Sequence, residues 1–312
     1  MKCLRPPVLL LALFCPASLV AAQEIDLNLY RKANENAERA EVGAKPGPQV
    51  RAAAPARFGH LLNEKMPSAE AIVPALPKTL LVVAGNLTAD PAREEPAHLK
   101  DVLLLLENVQ PRDTSYRHKN GVVRWKGSDG ATSWESHTDC SGLVDALLAH
   151  SYGFGKADLK KWFDKDRPQA EDYHDAIEAR RGFTLIKHLT DARPGDLLAV
   201  KYPPGGENTG HLMIVAGPPQ PMKEGGKPEV EGTGQWEVPV IDSSRSGHGK
   251  TDTRHLDKGK YREGLGQGVL RIYTHKSGDV AGYTWSTWAE SEYYDQKTRH
   301  LVIGRIDAGF KP

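Results

Sequence analysis

The sequence predicts an α+β domain in which an antiparallel sheet packs on a helix that begins at Cys140. Two observations carry this. Apolar residues recur at helical spacing as far as Leu148, and beyond Arg180 the pattern changes to short runs bounded by Gly, Pro and Asp. Helices first and strands afterwards is the order expected of an α+β chain.

The elements follow in order. Residues 97–109 place Leu99, Val102, Leu103, Leu106 and Val109 at helical spacing. Residues 121–134 read as a loop or hairpin turning at Ser128-Asp129-Gly130. The helix from Cys140 buries Leu143, Val144, Leu147 and Leu148, with Asp139 as its N-cap. A polar helical stretch covers 159–180. Strands are predicted at 195–201, 211–216, 236–242, 269–274 and 301–306.

The N-terminal part is different. Lys2 and Arg5, an apolar run over 8–20 and the small residues Val20-Ala21-Ala22 make residues 1–22 a secretory signal, cut before Gln23. The run is short and interrupted by Pro16, so no stable membrane span is expected. The chain is expected to be exported to the periplasm or beyond and to be soluble there. Bulky Phe14 before Cys15 argues against a lipid anchor. Residues 23–95 are rich in Ala, Pro and Arg and read as a linker or tether, leaving 96–312 as the functional domain. The 41 basic residues fall to 39 without Lys2 and Arg5, against 40 acidic ones. That balance gives no reason to expect nucleic acid or an anionic membrane as partner.

Cleavage would also remove Cys3 and Cys15, leaving Cys140 as the sole thiol. An unpaired cysteine in an exported chain is first a candidate nucleophile. A helix start offers unsatisfied N–H groups that favour a thiolate and can hold an oxyanion. Gly142 leaves room there for a substrate to approach. Of the 12 histidines, His211 is the best base, because it opens the apolar run 211–216 directly after a Gly-rich turn. In a strand it shares a face with Met213 and Val215. Asp242 ends the strand 236–242 and is the candidate to orient the imidazole. It also reads as a turn residue bonding to Ser243 or Ser244, and His248 is a weaker candidate for its role. A zinc site from His137, Asp139, Cys140 and His211 matches by ligand type alone, since Asp139 and Cys140 point apart at a helix start. No metal and no cofactor are expected.

These residues resemble a known family. Thr138-Asp139-Cys140-Ser141-Gly142-Leu143-Val144 is similar to the nucleophile motif of the NlpC-type cell-wall cysteine endopeptidases, which are papain-like. Arg193-Pro194-Gly195-Asp196-Leu197-Leu198 resembles their strand entry, Gly210-His211-Leu212-Met213-Ile214-Val215 their histidine strand, and Val240-Ile241-Asp242-Ser243-Ser244 the strand of their third polar residue. The resemblance implies a papain-like α+β fold and a peptidoglycan hydrolase that cuts stem peptides. It implies Cys140 as nucleophile, His211 as base and Asp242 as orienting group. Asp139 and Ser141 flank the nucleophile as substrate-binding candidates, and Tyr116 is the candidate for the family's upstream tyrosine. Two features depart from the family: its third residue is more often His, and insertions at 118–136, 217–235 and 277–295 exceed a minimal domain. Trp285 and Trp288, in the last of these, read as core or lid packing or as a ligand platform. Two other classes remain: an amidase or transpeptidase on another envelope substrate, and a catalytically silent envelope-binding protein.

Overall fold

The computed structural model describes residues 95–206, 208–256 and 260–312. Residues 1–94, with the segments expected to be a signal and a linker and with Cys3 and Cys15, lie outside the described residues. The described chain is α+β, and its large sheet is antiparallel throughout. Among the described residues no helix is long and apolar enough to cross a membrane.

Helix α1 (Ala97–Asn108) buries Leu99, Val102 and Leu105. Helix α2 (Cys140–Tyr152) buries Leu143, Val144, Leu147 and Leu148, the four residues its apolar stripe predicts. Removing each such side chain from water contributes about 1.5–3 kcal/mol. Gly153, in the left-handed region at φ 74°, ends α2 and donates to Ala149 O. The polar stretch expected as one helix is two, α3 (Lys156–Phe163) and α4 (Ala170–Glu178). The break lies at Asp164, at φ 59°, followed by Pro168, neither of which continues a helix.

Three short strands, β1 (Thr114–Ser115), β2 (Val122–Arg124) and β3 (Glu135–His137), form a small sheet with β3 in the centre. The loop between β2 and β3 turns at Asp129 and Gly130, both at positive φ, as the sequence predicts. The large sheet holds β4 (Phe183–Ile186), β5 (Leu197–Lys201), β6 (Gly210–Val215), β7 (Gln220–Pro221), β8 (Thr233–Ser244), β9 (Gly264–His275), β10 (Val280–Thr284), β11 (Tyr293–Asp295) and β12 (His300–Ile306). Its order is β11-β10-β9-β8-β6-β5-β12-β4, with β7 beside β8. All five predicted strands are present; β4, β7, β10 and β11 were not predicted.

The sheet is curled. Strands β10 and β12 touch although β9, β8, β6 and β5 lie between them in the order. Leu189 N–H also donates to Gly278 O across the gap. Two cores result. Leu212, Ile214 and Ile241 face the helices with Leu143 and Leu147, while Met213, Val215, Val238 and Val240 face the enclosed side with Leu270 and Tyr283. The Arg193-Pro194-Gly195-Asp196 motif locks the entry to β5. Asp196 accepts from Arg193 N–H at 2.8 Å and from Arg305 Nε and Nη2 at 2.8 Å each, and Gly195 N–H donates to Val215 O.

Gly210 opens β6 at φ 152°, and a Cβ there would lie 1.9 Å from Val200 O. That oxygen belongs to the β5 backbone and cannot move aside. Gly210→Ala is therefore expected to cost at least about 2 kcal/mol, by strain and overpacking together. Urea unfolding followed by circular dichroism checks this; an unchanged midpoint would refute it.

Candidate active site

Three elements converge on Cys140, the first residue of α2. Strand β1 runs parallel to β3 with Ser115 opposite His137, and Thr138 N–H donates to Ser115 O. This holds the segment that enters α2. Strand β8 pairs antiparallel with β6, Ile214 opposite Ile241 and Val215 opposite Val240. That register puts Asp242 on the same face as His211, as a diagonal cross-strand neighbour. Ser243, next to Asp242, donates to Thr138 O at 2.6 Å and ties the end of β8 to the start of α2.

His211 Nε2 donates to Asp242 Oδ2 at 2.6 Å, and both side chains are buried. With Nε2 taken by Asp242, Nδ1 is the remaining ring nitrogen, and the Cys140 sulfur lies close enough to the ring to act on its charge. Burial alone would lower the His211 pKa, but Cys140 and Asp242 outweigh it and raise it well above its ordinary value. A protonated imidazole beside a sulfur is the partner a thiolate needs. Burial would likewise raise Asp242; Arg254, His248 and His211 outweigh it and hold this carboxylate well below its ordinary range. The sequence-predicted trio is thus brought together.

Behind it lies a buried polar network. His248 Nε2 reaches Asp242 Oδ2 at 3.0 Å and its Nδ1 reaches Trp285 O at 2.8 Å. Both partners are acceptors, so His248 donates through both nitrogens when both bonds are made. Arg254 Nη2 lies 2.8 Å from Asp242 Oδ1 in an ion pair whose angle falls outside hydrogen-bond geometry. Arg254 also grips Asp252 through Nε and Nη2 at 2.9 and 2.8 Å, and Asp252 Oδ2 accepts from His248 N–H. His248, weighed at first as a rival of Asp242, is its partner. Arg254 and Asp252 carry no signal in the sequence, where 249–260 reads as a polar loop. The Trp285 ring lies edge-on to His211 with centroids 5.4 Å apart. It covers the His211–Asp242 pair, which favours packing over a ligand platform. Trp288 places its ring beside His255, and its carbonyl accepts from Arg271.

The start of α2 is organised by Asp139. As predicted, it caps the helix, accepting from Gly142 N–H at 2.8 Å, and its backbone oxygen takes Leu143 N–H. This leaves the Cys140 and Ser141 N–H groups of the first turn for an oxyanion. Asp139 also pairs with Arg167 Nη2 and, at 3.3 Å, with His118 Nδ1. Burial would raise its pKa, but His118, Arg167 and the Gly142 N–H together hold it below its ordinary value. Ser141 Oγ accepts from Arg167 Nη1 at 2.9 Å. The polar atoms of both substrate-binding candidates are therefore engaged within the protein. Gly142 also answers to the protein's own packing. A Cβ there would lie 2.1 Å from Thr138 Oγ1 and 2.8 Å from Arg167 Nη2, so the protein's own packing requires the glycine. Tyr116 follows β1 and is buried beside His118 and under Arg245, so the parallel pairing brings it close to Thr138 and Asp139 despite its distance in sequence.

The zinc grouping does not assemble. His137 Nδ1 pairs with Ser115 Oγ at 2.8 Å, and Asp139 is turned to its cap. The ligand atoms of His211, Asp242 and His248 do lie within 4.8 Å of one another, but Arg254 already supplies the positive charge there.

Arg254 serves two carboxylates at once. Removing one partner of a buried ion pair costs about 3–5 kcal/mol. Arg254→Met is expected to destabilise by that amount in urea titrations, and a loss below about 1 kcal/mol would show the network to be dispensable. A second prediction concerns Asp145, which accepts from Arg167 at 2.9 Å and from Tyr173 Oη at 2.6 Å. Burial, aided by Asp139 and opposed by Arg167 and Tyr173, pushes it from 3.8 up to about 7. The folded protein then holds a proton that the unfolded chain has released. This group's contribution to stability falls as pH rises from about 4 to about 7 and is level above that. Asp145→Asn should flatten the fall of Tm with pH across that window in scanning calorimetry; an identical slope in both proteins would count against it.

No protein-family model matches the chain, and no solved structure matches it. An uncharacterized protein of Acanthamoeba polyphaga mimivirus is 38% identical over 222 residues, covering 68% of this chain and 97% of the viral protein. The chain belongs to the same family as that viral protein.

Proposed function

We propose that this protein is a cysteine-type hydrolase of papain-like architecture that cleaves amide bonds in the peptide stems of peptidoglycan. The observation that carries the reading is the buried His211–Asp242 hydrogen bond with Cys140, at a helix start, close to the imidazole. The order of a helix-borne cysteine, a strand-borne histidine and a strand-borne acid supports the papain-like reading. The substrate class rests on the motif resemblance to the NlpC-type endopeptidases. Export through residues 1–22 would bring the enzyme to that substrate.

In this reading the Cys140 thiolate attacks the carbonyl carbon. The N–H groups of Cys140 and Ser141 hold the oxyanion, and His211 gives its Nδ1 proton to the leaving amine as the C–N bond breaks. A thioester remains on Cys140. Water then attacks it while Nδ1 takes the water proton, and the C–S bond breaks to release the acid. The sulfur leaves as thiolate beside an imidazolium, which is the starting state. Asp242 fixes the ring by accepting from Nε2 and stays ionised throughout.

Purified peptidoglycan digested by the chain from residue 23, beside Cys140→Ala and His211→Ala, tests this by mass spectrometry of the fragments. New stem-peptide fragments are expected from the unaltered chain, with each variant slower by at least about 10³-fold. Equal digestion by Cys140→Ala would sink the mechanism. No digestion by any of them, with Cys140 rapidly alkylated at neutral pH, would move the substrate elsewhere and keep the thiol chemistry.

A further inference from the structure

His174, Glu178 and His300 form a second group of converging side chains on the opposite face of the sheet from His211. His174 and Glu178 are one turn apart on α4 and project from the same side of the helix. His300 opens β12 and lies on the same face as Val302, which belongs to the core under the helices; His211 shares its face with Met213, in the other core. His174 Nε2 is 3.0 Å from His300 Nδ1, and His300 Nδ1 is 3.6 Å from Glu178 Oε1. One ligand atom from each residue lies within 4.8 Å of the others.

We propose that these three residues bind one divalent metal ion of the zinc class. Bonds of about 2.0–2.1 Å in tetrahedral directions separate ligand atoms by about 3.3–3.4 Å. The two measured separations bracket that value. Two imidazoles and one carboxylate also match the donor preference of zinc.

A feature outside the trio points the same way. His174 Nδ1 donates to Asp175 Oδ1 at 2.9 Å, and Lys201 Nζ holds both oxygens of Asp175 at 2.7 and 2.6 Å. That bond fixes the tautomer and leaves the Nε2 lone pair aimed at the centre of the group. A carboxylate behind a ligand histidine is the usual support of a metal-binding imidazole. His174 is rigidly buried, whereas the side chains of Glu178 and His300 are 46% and 42% exposed. An ion can therefore enter from solvent and keep water as its fourth ligand. Once bound, it would join α4 to β12.

The test uses the full-length chain stripped with chelator and titrated with Co²⁺, read by visible absorption, and with Zn²⁺, read by calorimetry. One equivalent is expected, with the intense bands of four-coordinate cobalt. His300→Ala and Glu178→Gln, both at half-exposed positions, should each weaken binding at least about tenfold, and Asp175→Asn by about 10–100-fold. Cys140→Ser should bind as the parent does. Absence of binding by the parent would overturn the proposal, as would undiminished binding by His300→Ala. An ion lost in Cys140→Ser and retained in His300→Ala would also overturn it, by assigning the metal to the thiol centre.

Discussion

A carboxylate removed from water is costly unless opposite charge and hydrogen bonds replace its hydration. Asp242 is fully buried, and the arrangement around it answers that cost. Arg254 lies beside one oxygen, and His211 and His248 donate to the other. Arg254 is itself buried and needs a second anion, which Asp252 provides. Asp252 in turn holds the backbone of His248. The path of the chain between β8 and β9 follows from these bonds, because Arg254 and His248 both come from that connection, while His211 reaches Asp242 from β6. Trp285 closes the arrangement with its ring over His211 and its carbonyl on His248.

A second set of carboxylates behaves differently. Asp139 and Asp145 share Arg167, yet one is held below its ordinary pKa and the other is pushed far above it. Asp139 has a backbone N–H and His118 in addition to the guanidinium, and it lies at the positive end of α2. Asp145 lies one turn into the helix and has only Arg167 and Tyr173 to offset its burial. A negative charge thus stays at the cap, where it orders the first turn. Arg167 lies near enough to Cys140 for the cysteine to act on its charge.

Much of this was legible in the sequence, for identifiable reasons. Leu143, Val144, Leu147 and Leu148 state one helical face, and Asp139 and Gly153 mark the ends of that helix. Short runs bounded by turn residues state β5, β6, β8, β9 and β12. The proximity of Cys140, His211 and Asp242 followed from where each stands on its element. What stayed hidden depends on contacts that periodicity does not encode. Strands β4, β10 and β11 are short, and their pairing becomes apparent only once the sheet curls. Arg254 and Asp252 belong to a connection with no apolar pattern, and their burial is a consequence of Asp242. His174 and Glu178 showed a helical spacing, but their partner His300 stands far along the chain and is brought to them by β12 pairing with β5. The close approach of Thr138 to Gly142 likewise could not be read from residue types.

The connection between β8 and β9 also separates two kinds of contact by the length of chain they enclose. Asp242, His248, Asp252 and Arg254 are neighbours in sequence, and β8 and β9 form one long hairpin around them. Joining Cys140 to Asp242 encloses a far longer loop. The entropy of closing a flexible loop rises with the logarithm of its length, which makes the Asp242–Arg254 contact about 2 kcal/mol easier to close. Loop-closure entropy must be met before a contact of high separation contributes, so contacts of low separation are the less costly ones to make. Most of the charge balance of Asp242 therefore lies within one hairpin connection, and His211 alone reaches it from another strand. Counter-charge can thus reach Asp242 without the long loop to Cys140 being closed first.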